Sequence, residues 1–361
     1  MKTNPMRNQI LGNTVGLLMV AALLAVGCDD KGATSDAPAN AQQAAAKDAP
    51  AAKPVDEVRL GYFANLTHAQ GVLGAASGDF AKAVAPAKFS TKVFNAGPSV
   101  IEAIFAGEID IAYIGPQPAL TGFVKSRGER VRVIAGAAAN GVVIVARKDS
   151  GITKLSDLIG RKVATPQHAN TQDIAARHYL VHDLKQKDHS NVVPIPNAEQ
   201  AAMMDRKEID AAWAPEPWGS FLVSQVGATV IEKEEKLWPE GKFAIAVVIT
   251  TPEFLAKHPD VVEKILRVHR DWTAKLQKDP KTYVPQLGDA LYALTQKRLP
   301  PGVLDAAFAN TSFTDDPQEH TFKTFAQWSY DLGFAKDVAK TDGLIDTAIL
   351  RKLQGESPPA K

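Results

Sequence analysis

AGPSVIEAIFAGEIDIAYIGPQPAL, Ala96–Leu120, is the stretch on which the fold turns. Val100, Ile101, Ile104 and Phe105 recur at helical spacing across SVIEAIFAGEI. DIAYI, Asp110–Ile114, is an apolar run of strand length that stops at Gly115-Pro116, and Pro118–Lys125 opens another helix. Upstream, AKFSTKVFN (Ala87–Asn95) reads as a strand running into the loop Gly97-Pro98-Ser99. Further out lie the strand VRLGYF (Val58–Phe63), the loop Ala64–His68 and a helical pattern with Val72, Leu73 and Ala76. Downstream come VRVIAGAA (Val131–Ala138) and GVVIVAR (Gly141–Arg147). Strands alternating with helices predict an α/β unit with a mostly parallel sheet.

The pattern then restarts. GITKLSDLI (Gly151–Ile159) reads as a turn and short helix, RKVAT (Arg161–Thr165) as a strand, and Pro166–Thr171 as a long loop opening a helix from about Gln172 to Leu184. VVPIP (Val192–Pro196), a helix over Ala198–Met204 and DAAWA (Asp210–Ala214) complete a second β-α-β run. FAIAVVITT (Phe243–Thr251) leads the chain back, and Pro252 to about Leu353 is almost wholly helical by pattern, with Gln354–Lys361 a frayed tail. Two similar α/β lobes are expected, joined by crossings near Val145–Ser150 and Lys242–Ala246. Residues 56–146 with 245–353 form lobe 1, and residues 147–244 form lobe 2.

The 361-residue chain carries 41 basic and 40 acidic residues and one cysteine, Cys28. Cys28 closes an apolar run, VGLLMVAALLAVG (Val15–Gly27), preceded by Lys2 and Arg7. Charge, then a short apolar stretch, then small residues is the layout of a secretory signal peptide. Leu24-Ala25-Val26-Gly27-Cys28 resembles a bacterial lipobox, which implies lipidation of Cys28. The alternative is an ordinary leader that leaves an unpaired thiol. Asp29 resembles the signal that retains some lipoproteins at the inner membrane. Asp29–Val55 has no aromatic residue and reads as a disordered tether, with residues 28–55 between leader and lobe 1. Its ends would sit about 30 Å apart as a flexible coil. Without residues 1–27 the balance is 39 basic against 40 acidic. Neither sign dominates, so a nucleic-acid role has no electrostatic footprint. One cysteine allows no disulfide framework and no cysteine-based metal site.

In open α/β sheets, ligands sit beyond the carboxyl ends of strands, often at helix N-termini. The candidates at such positions are Asn65, Thr67 and His68; Gly97 and Ser99; Gln117; Asn140; and Asn170, Thr171 and Gln172. Thr67, Ser99 and Thr171 also suit plain N-caps, and His68 a loop histidine. In WAPEPW (Trp213–Trp218), Glu216 stands between two prolines and two tryptophans. Either this is a pocket wall, with Trp218 beside it, where Glu216 meets a donor on the ligand or holds a neighbouring side chain, or the turn packs tryptophan into the core with Glu216 solvated. His178 and His182 share one helix face; a solvated pair is favoured over a metal pair, since no third ligand is evident. The chain has no Gly-x-Ser-x-Gly, no Walker-type loop and no His-Glu-x-x-His, so no catalytic residue, metal or cofactor is assigned.

VRLGYFANLTHAQGVLGAASGDF, the Ala96–Leu120 stretch, LSDLIGRKVATP, NTQDIAARHYL and DAAWAPEPW together resemble substrate-binding proteins of ABC importers of the nitrate, sulfonate and taurine group. The resemblance implies a two-lobed periplasmic-binding-protein fold of type II-like form with a helical C-terminal region. It implies a small organic anion in the interlobe cleft, with an aliphatic sulfonate as the lead, held by Asn65, Thr67, His68, Gly97, Ser99, Gln117, Asn140, Asn170, Thr171, Gln172, Glu216 and Trp218. The loop Gln167–Thr171 departs from the Gly-Ser-rich loop of several members, which leaves the ligand open. The implied partners are an ABC permease and its ATPase, with the lipid anchor holding a monomer at the periplasmic face of the inner membrane. A relative that makes a thiamin pyrimidine precursor and a periplasmic sensor are the alternatives.

Overall fold

The computed structural model describes residues 54–355, so the expected leader, Cys28 and nearly all of the tether lie outside the described residues. Eleven strands occur among the described residues: β1 Glu57–Phe63, β2 Lys88–Phe94, β3 Ile111–Ile114, β4 Arg132–Asn140, β5 Val142–Ala146, β6 Val163–Thr165, β7 Val192–Pro194, β8 Ala211–Pro215, β9 Thr229–Lys233, β10 Ala244–Thr250 and β11 Thr311–Phe313. They form two sheets, in the orders β11-β4-β10-β3-β1-β2 and β7-β6-β8-β5-β9. All described residues belong to one compact unit, so the two sheets are parts of one body. Two α/β sheets in one body agree with the two-lobed architecture expected from the sequence.

Neither sheet is mostly parallel. β1 pairs parallel with β2 and β3, and β6 with β7 and β8. β10 pairs antiparallel with β3 and β4, β11 with β4, and β5 with β8 and β9. The antiparallel members β5 and β10 flank the two crossings between sheets. The expectation of mostly parallel pairing failed because β5 and β10 are buried along their whole length. Their unbroken apolar runs look the same as those of buried parallel strands.

The chain leaves the first sheet at Asn140 and enters the second at Val142, earlier than the expected change near residue 146. Asn140 (φ 62°) and Gly141 (φ +73°) make the corner. Gly141 also lies against Thr311, whose Oγ1 would be 2.6 Å from any Cβ placed there. The return runs from β9 through a short 3-10 turn, Glu234–Leu237, into β10.

Helices at Pro252–Lys257, Pro259–Lys278, Pro280–Thr295, Val303–Asn310, Glu319–Asp331 and Ala348–Gln354 fill the C-terminal third. The expected near-continuous helix is broken by β11, too short to show a period of two. The expected helix 172–184 is α-helical only over Thr171–His178 and closes in a π turn, Tyr179–Asp183. The His178–His182 face, expected to be solvated, is half-buried. The two rings stack at 4.5 Å, and His178 stacks on Trp328 at 4.5 Å. Burial pushes the His178 imidazole down to about 4, and the neighbouring His182 adds to the effect. No group of three potential metal ligands occurs among the described residues. No described helix is long and apolar enough to cross a membrane.

Candidate functional site

Four helices begin at one small cavity between the sheets. Gly97–Phe105 follows β2, Pro116–Lys125 follows β3, Thr171–His178 follows β6 and Asn197–Asp205 follows β7. Residues at or beside each start line the cavity: Ala96 and Gly97; Gly115; Asn170, Thr171 and Gln172; and Asn197. The helices starting at Gly97 and Pro116 have no side-chain cap and no acid in the first turn. Their first N–H groups are therefore not met by a capping side chain, and each helix start carries partial positive charge. No Lys, Arg, Asp or Glu lines the cavity.

The loop Pro166–Asn170 is built from within. Asp173, fully buried, accepts from Thr165 Oγ1 (2.7 Å), Ala169 N–H (2.9 Å) and Arg177 Nε (2.8 Å). Asn170 caps its helix, accepting from Asp173 N–H at 2.9 Å, and donates from Nδ2 to Gln172 at 3.2 Å. Thr171 is 3% exposed, and its hydroxyl makes no hydrogen bond among the described residues.

His68 forms part of the opposite wall. Its Nδ1 accepts from Phe63 N–H at 3.1 Å, so the neutral ring carries its proton on Nε2. Burial pushes the imidazole down to about 3, which keeps it neutral. The ring stacks on Phe63 at 4.3 Å. Asn65 Oδ1 accepts from Trp218 Nε1 at 2.8 Å, a bond that spans the cleft from the second sheet's half to the first.

The inner cavity offers about 30 Å³ to water centres, roughly two water molecules. It continues into an outer groove of about 620 Å³ that shares Phe63, Asn65, Asn95, Ala96, Pro166 and Asn197 with it. Of the residues expected from sequence, Asn65, Thr67, His68, Gly97, Asn170, Thr171 and Gln172 meet at the inner cavity. Ser99 and Trp218 line the groove.

Gln117, Asn140 and Glu216 line neither space. Gln117 turns away, donating from Nε2 to Ser329 Oγ at 3.0 Å. Asn140 is a corner residue whose Oδ1 accepts from Phe243 N–H at 3.4 Å. Glu216 is fully buried, neither solvated nor facing the cleft, and accepts from Ser220 N–H and Oγ (3.1 and 2.9 Å) and from Asn310 Nδ2 (2.7 Å). It holds the start of helix Trp218–Val226 and ties it to Asn310 of the first sheet's half. Burial raises its carboxyl, against the pull of those donors. Glu216→Gln should therefore cost about 1–3 kcal/mol of stability in urea unfolding and leave ligand affinity unchanged. A clear loss of affinity at unchanged stability would place the carboxylate in binding. Trp213 is fully buried and donates to Glu234 at 2.6 Å.

Sequence reasoning missed Asn95, Asn197 and Ile245 at the cavity. Asn197 had a signal, since it stands between a strand and a predicted helix. Ile245 had none, being one apolar residue in an apolar run.

The comparisons agree with the likeness read from sequence. The taurine-binding periplasmic protein of Escherichia coli (strain K12) is 25% identical over 275 residues, covering 73% of this chain and 77% of that protein. The alkanesulfonate-binding protein SsuA from Xanthomonas axonopodis pv. citri, solved with MOPS bound, is 19% identical with a TM-score of 0.64. It covers 80% of this chain and 96% of that one. The periplasmic nitrate-binding protein NrtA from Synechocystis PCC 6803 is 14% identical with a TM-score of 0.69, covering 83% of this chain and 89% of that one. At these identities the two structures speak to the fold. The family model matches residues 51–298, more than half of the sequence, and the chain belongs to the NMT1-like family.

Proposed function

We propose that this protein is the extracytoplasmic substrate-binding component of an ABC importer, capturing a small organic anion between its lobes and delivering it to a permease. The observation that carries the reading is the inner cavity: four helix starts, a buried hydroxyl without a partner on Thr171, and no charged side chain. Such a site favours an oxyanion through N–H and O–H donors, each helix start contributing about 0.3–1 kcal/mol. Asn65, Thr67, His68, Gly97, Asn170, Thr171 and Gln172 are the proposed contacts, with His68 donating from Nε2. Trp218 and Ser99 meet the part of the ligand that extends into the groove. The names of the relatives support taurine, a sulfonate or nitrate as the class. An aliphatic sulfonate is the lead, because the groove leaves room for an organic tail beyond the head site. Cys28 is proposed as the lipid anchor beside the permease, with the protein acting as a monomer and as a binder, not an enzyme.

Thermal-shift screening of the purified protein against alkanesulfonates, taurine, nitrate, bicarbonate and pyrimidines tests this. A ligand at a thousand times its Kd should add about 4 kcal/mol of stability. A shift with a pyrimidine and with no anion would overturn the proposal.

A further inference from the structure

Helix Glu319–Asp331 touches both halves of the site from behind. On one side, Ser329 Oγ accepts from Gln117 Nε2 at 3.0 Å. Gln117 lies in the first turn of the helix whose start, Gly115, lines the cavity. On the other side, Trp328 stacks on His178, with centroids 4.5 Å apart and planes 19° from parallel. His178 Nε2 also lies 3.6 Å from Asp331 Oδ2. His178 ends the helix whose start, Thr171, lines the same cavity. At 1.5 Å per residue that helix carries the contact about 12 Å to the site.

The strut is anchored at its foot. Thr321 Oγ1 accepts from Ala244 N–H at 2.9 Å, where the chain returns to the first sheet. Phe322 and Phe325 are fully buried, and Trp328 packs on Trp238 at 4.7 Å. One rigid helix therefore holds two site helices and the crossing between them.

We propose that helix Glu319–Asp331 is a positioning strut that sets the spacing between the helix starts of the two site halves, with Ser329 and Trp328 as positioning residues for ligand binding. This rests on the anion-binding reading. A directional hydrogen bond fixes the strut to the first half, and the near-parallel stack, with Asp331 3.6 Å from the same imidazole, fixes it to the second.

Isothermal titration of the full protein with ethanesulfonate, taurine and nitrate tests the proposal. Ser329→Ala and Trp328→Leu should each weaken binding about fivefold, the worth of one buried contact. They should also change the ratio of nitrate to ethanesulfonate affinity, because a changed spacing suits anions of different size unequally. Ser329→Thr, which keeps the hydroxyl, should restore both. Equal loss for all anions, in step with a fall in melting temperature, would reduce these contacts to packing and overturn the proposal. A wild-type protein that binds none of the three, and no other alkanesulfonate or bicarbonate, would overturn the anion-binding reading, and this inference with it.

Discussion

Below pH 6.5 the protein is expected to lose stability. His68 and His269 are fully buried, and burial holds them neutral, at about 3 and about 4 against an ordinary value of 6.5. His269 also shares a 2.9 Å hydrogen bond with the hydroxyl of Tyr113. A depressed histidine favours the folded state above 6.5, and that contribution drains away as pH falls toward the folded value. At 1.36 kcal/mol per unit, the pair sets a ceiling of about 8 kcal/mol, comparable with the whole stability of a typical domain. His178 acts in the same direction.

Glu234 opposes them. It is buried, accepts from Trp213 and Trp238 at 2.6 and 3.0 Å, and burial pushes it up to about 7. A raised carboxyl favours the folded state at low pH and loses that contribution as pH rises through about 7. Its ceiling is about 3 kcal/mol. Glu216, also raised by burial, opposes the histidines too, but the pair together with His178 outweighs the two carboxyls and fixes the sign. Urea unfolding at pH 4.5, 5.5, 6.5 and 8 should show stability climbing to about 6.5 and levelling above it. His269→Gln removes one titration and should flatten the slope. Equal stability at pH 4.5 and 6.5 would refute the assignment.

The same burial explains how far the sequence could be read. β1 and β3 were legible because short apolar runs end in turn residues. Pairing direction was not, since Val142–Ala146 and Ala244–Thr250 are buried on both faces and carry no alternation. β9 was missed because Thr229 and Val230 are exposed and Ile231, Glu232 and Lys233 only half-buried, leaving no apolar run. At the site, the loop positions were legible because strand-to-helix junctions converge by topology. Orientation within a first turn was not. Gln117 is only two residues beyond Gly115, yet it points to Ser329 and not to the cavity. Glu216 looked like a ligand group or a solvated turn. It is neither; it holds neighbouring side chains, the other reading the turn allowed, and the partners Ser220 and Asn310 were not legible because one comes from a helix far along the chain.

Gly115→Val is expected to cost 10- to 100-fold in ligand affinity. Gly115 and Thr171 face each other across the cleft, one from each half. A Cβ at residue 115 would lie 2.4 Å from Thr171 Oγ1 and 3.7 Å from the Ile245 carbonyl. The backbone at Gly115 is ordinary, with φ −71°, so close approach and not conformation is what excludes a side chain. Overpacking of this kind costs about 1–3 kcal/mol, and here the molecule can avoid it by parting the halves. On the proposed reading, with the lobes closing on the ligand about a hinge as binding proteins do, ligand must then supply that energy to close the cleft, and each 1.4 kcal/mol is tenfold in affinity. The ligand-free melting temperature should change little. Gly115→Ala separates this wedge from a general defect. Alone it should weaken binding. On a Thr171→Ala background, already weakened by loss of the hydroxyl, it should add almost nothing, because the atom it strikes is gone. Fully additive losses in titrations of the four proteins would mean that Gly115 does not act through Thr171, and closure onto this contact would have to be abandoned.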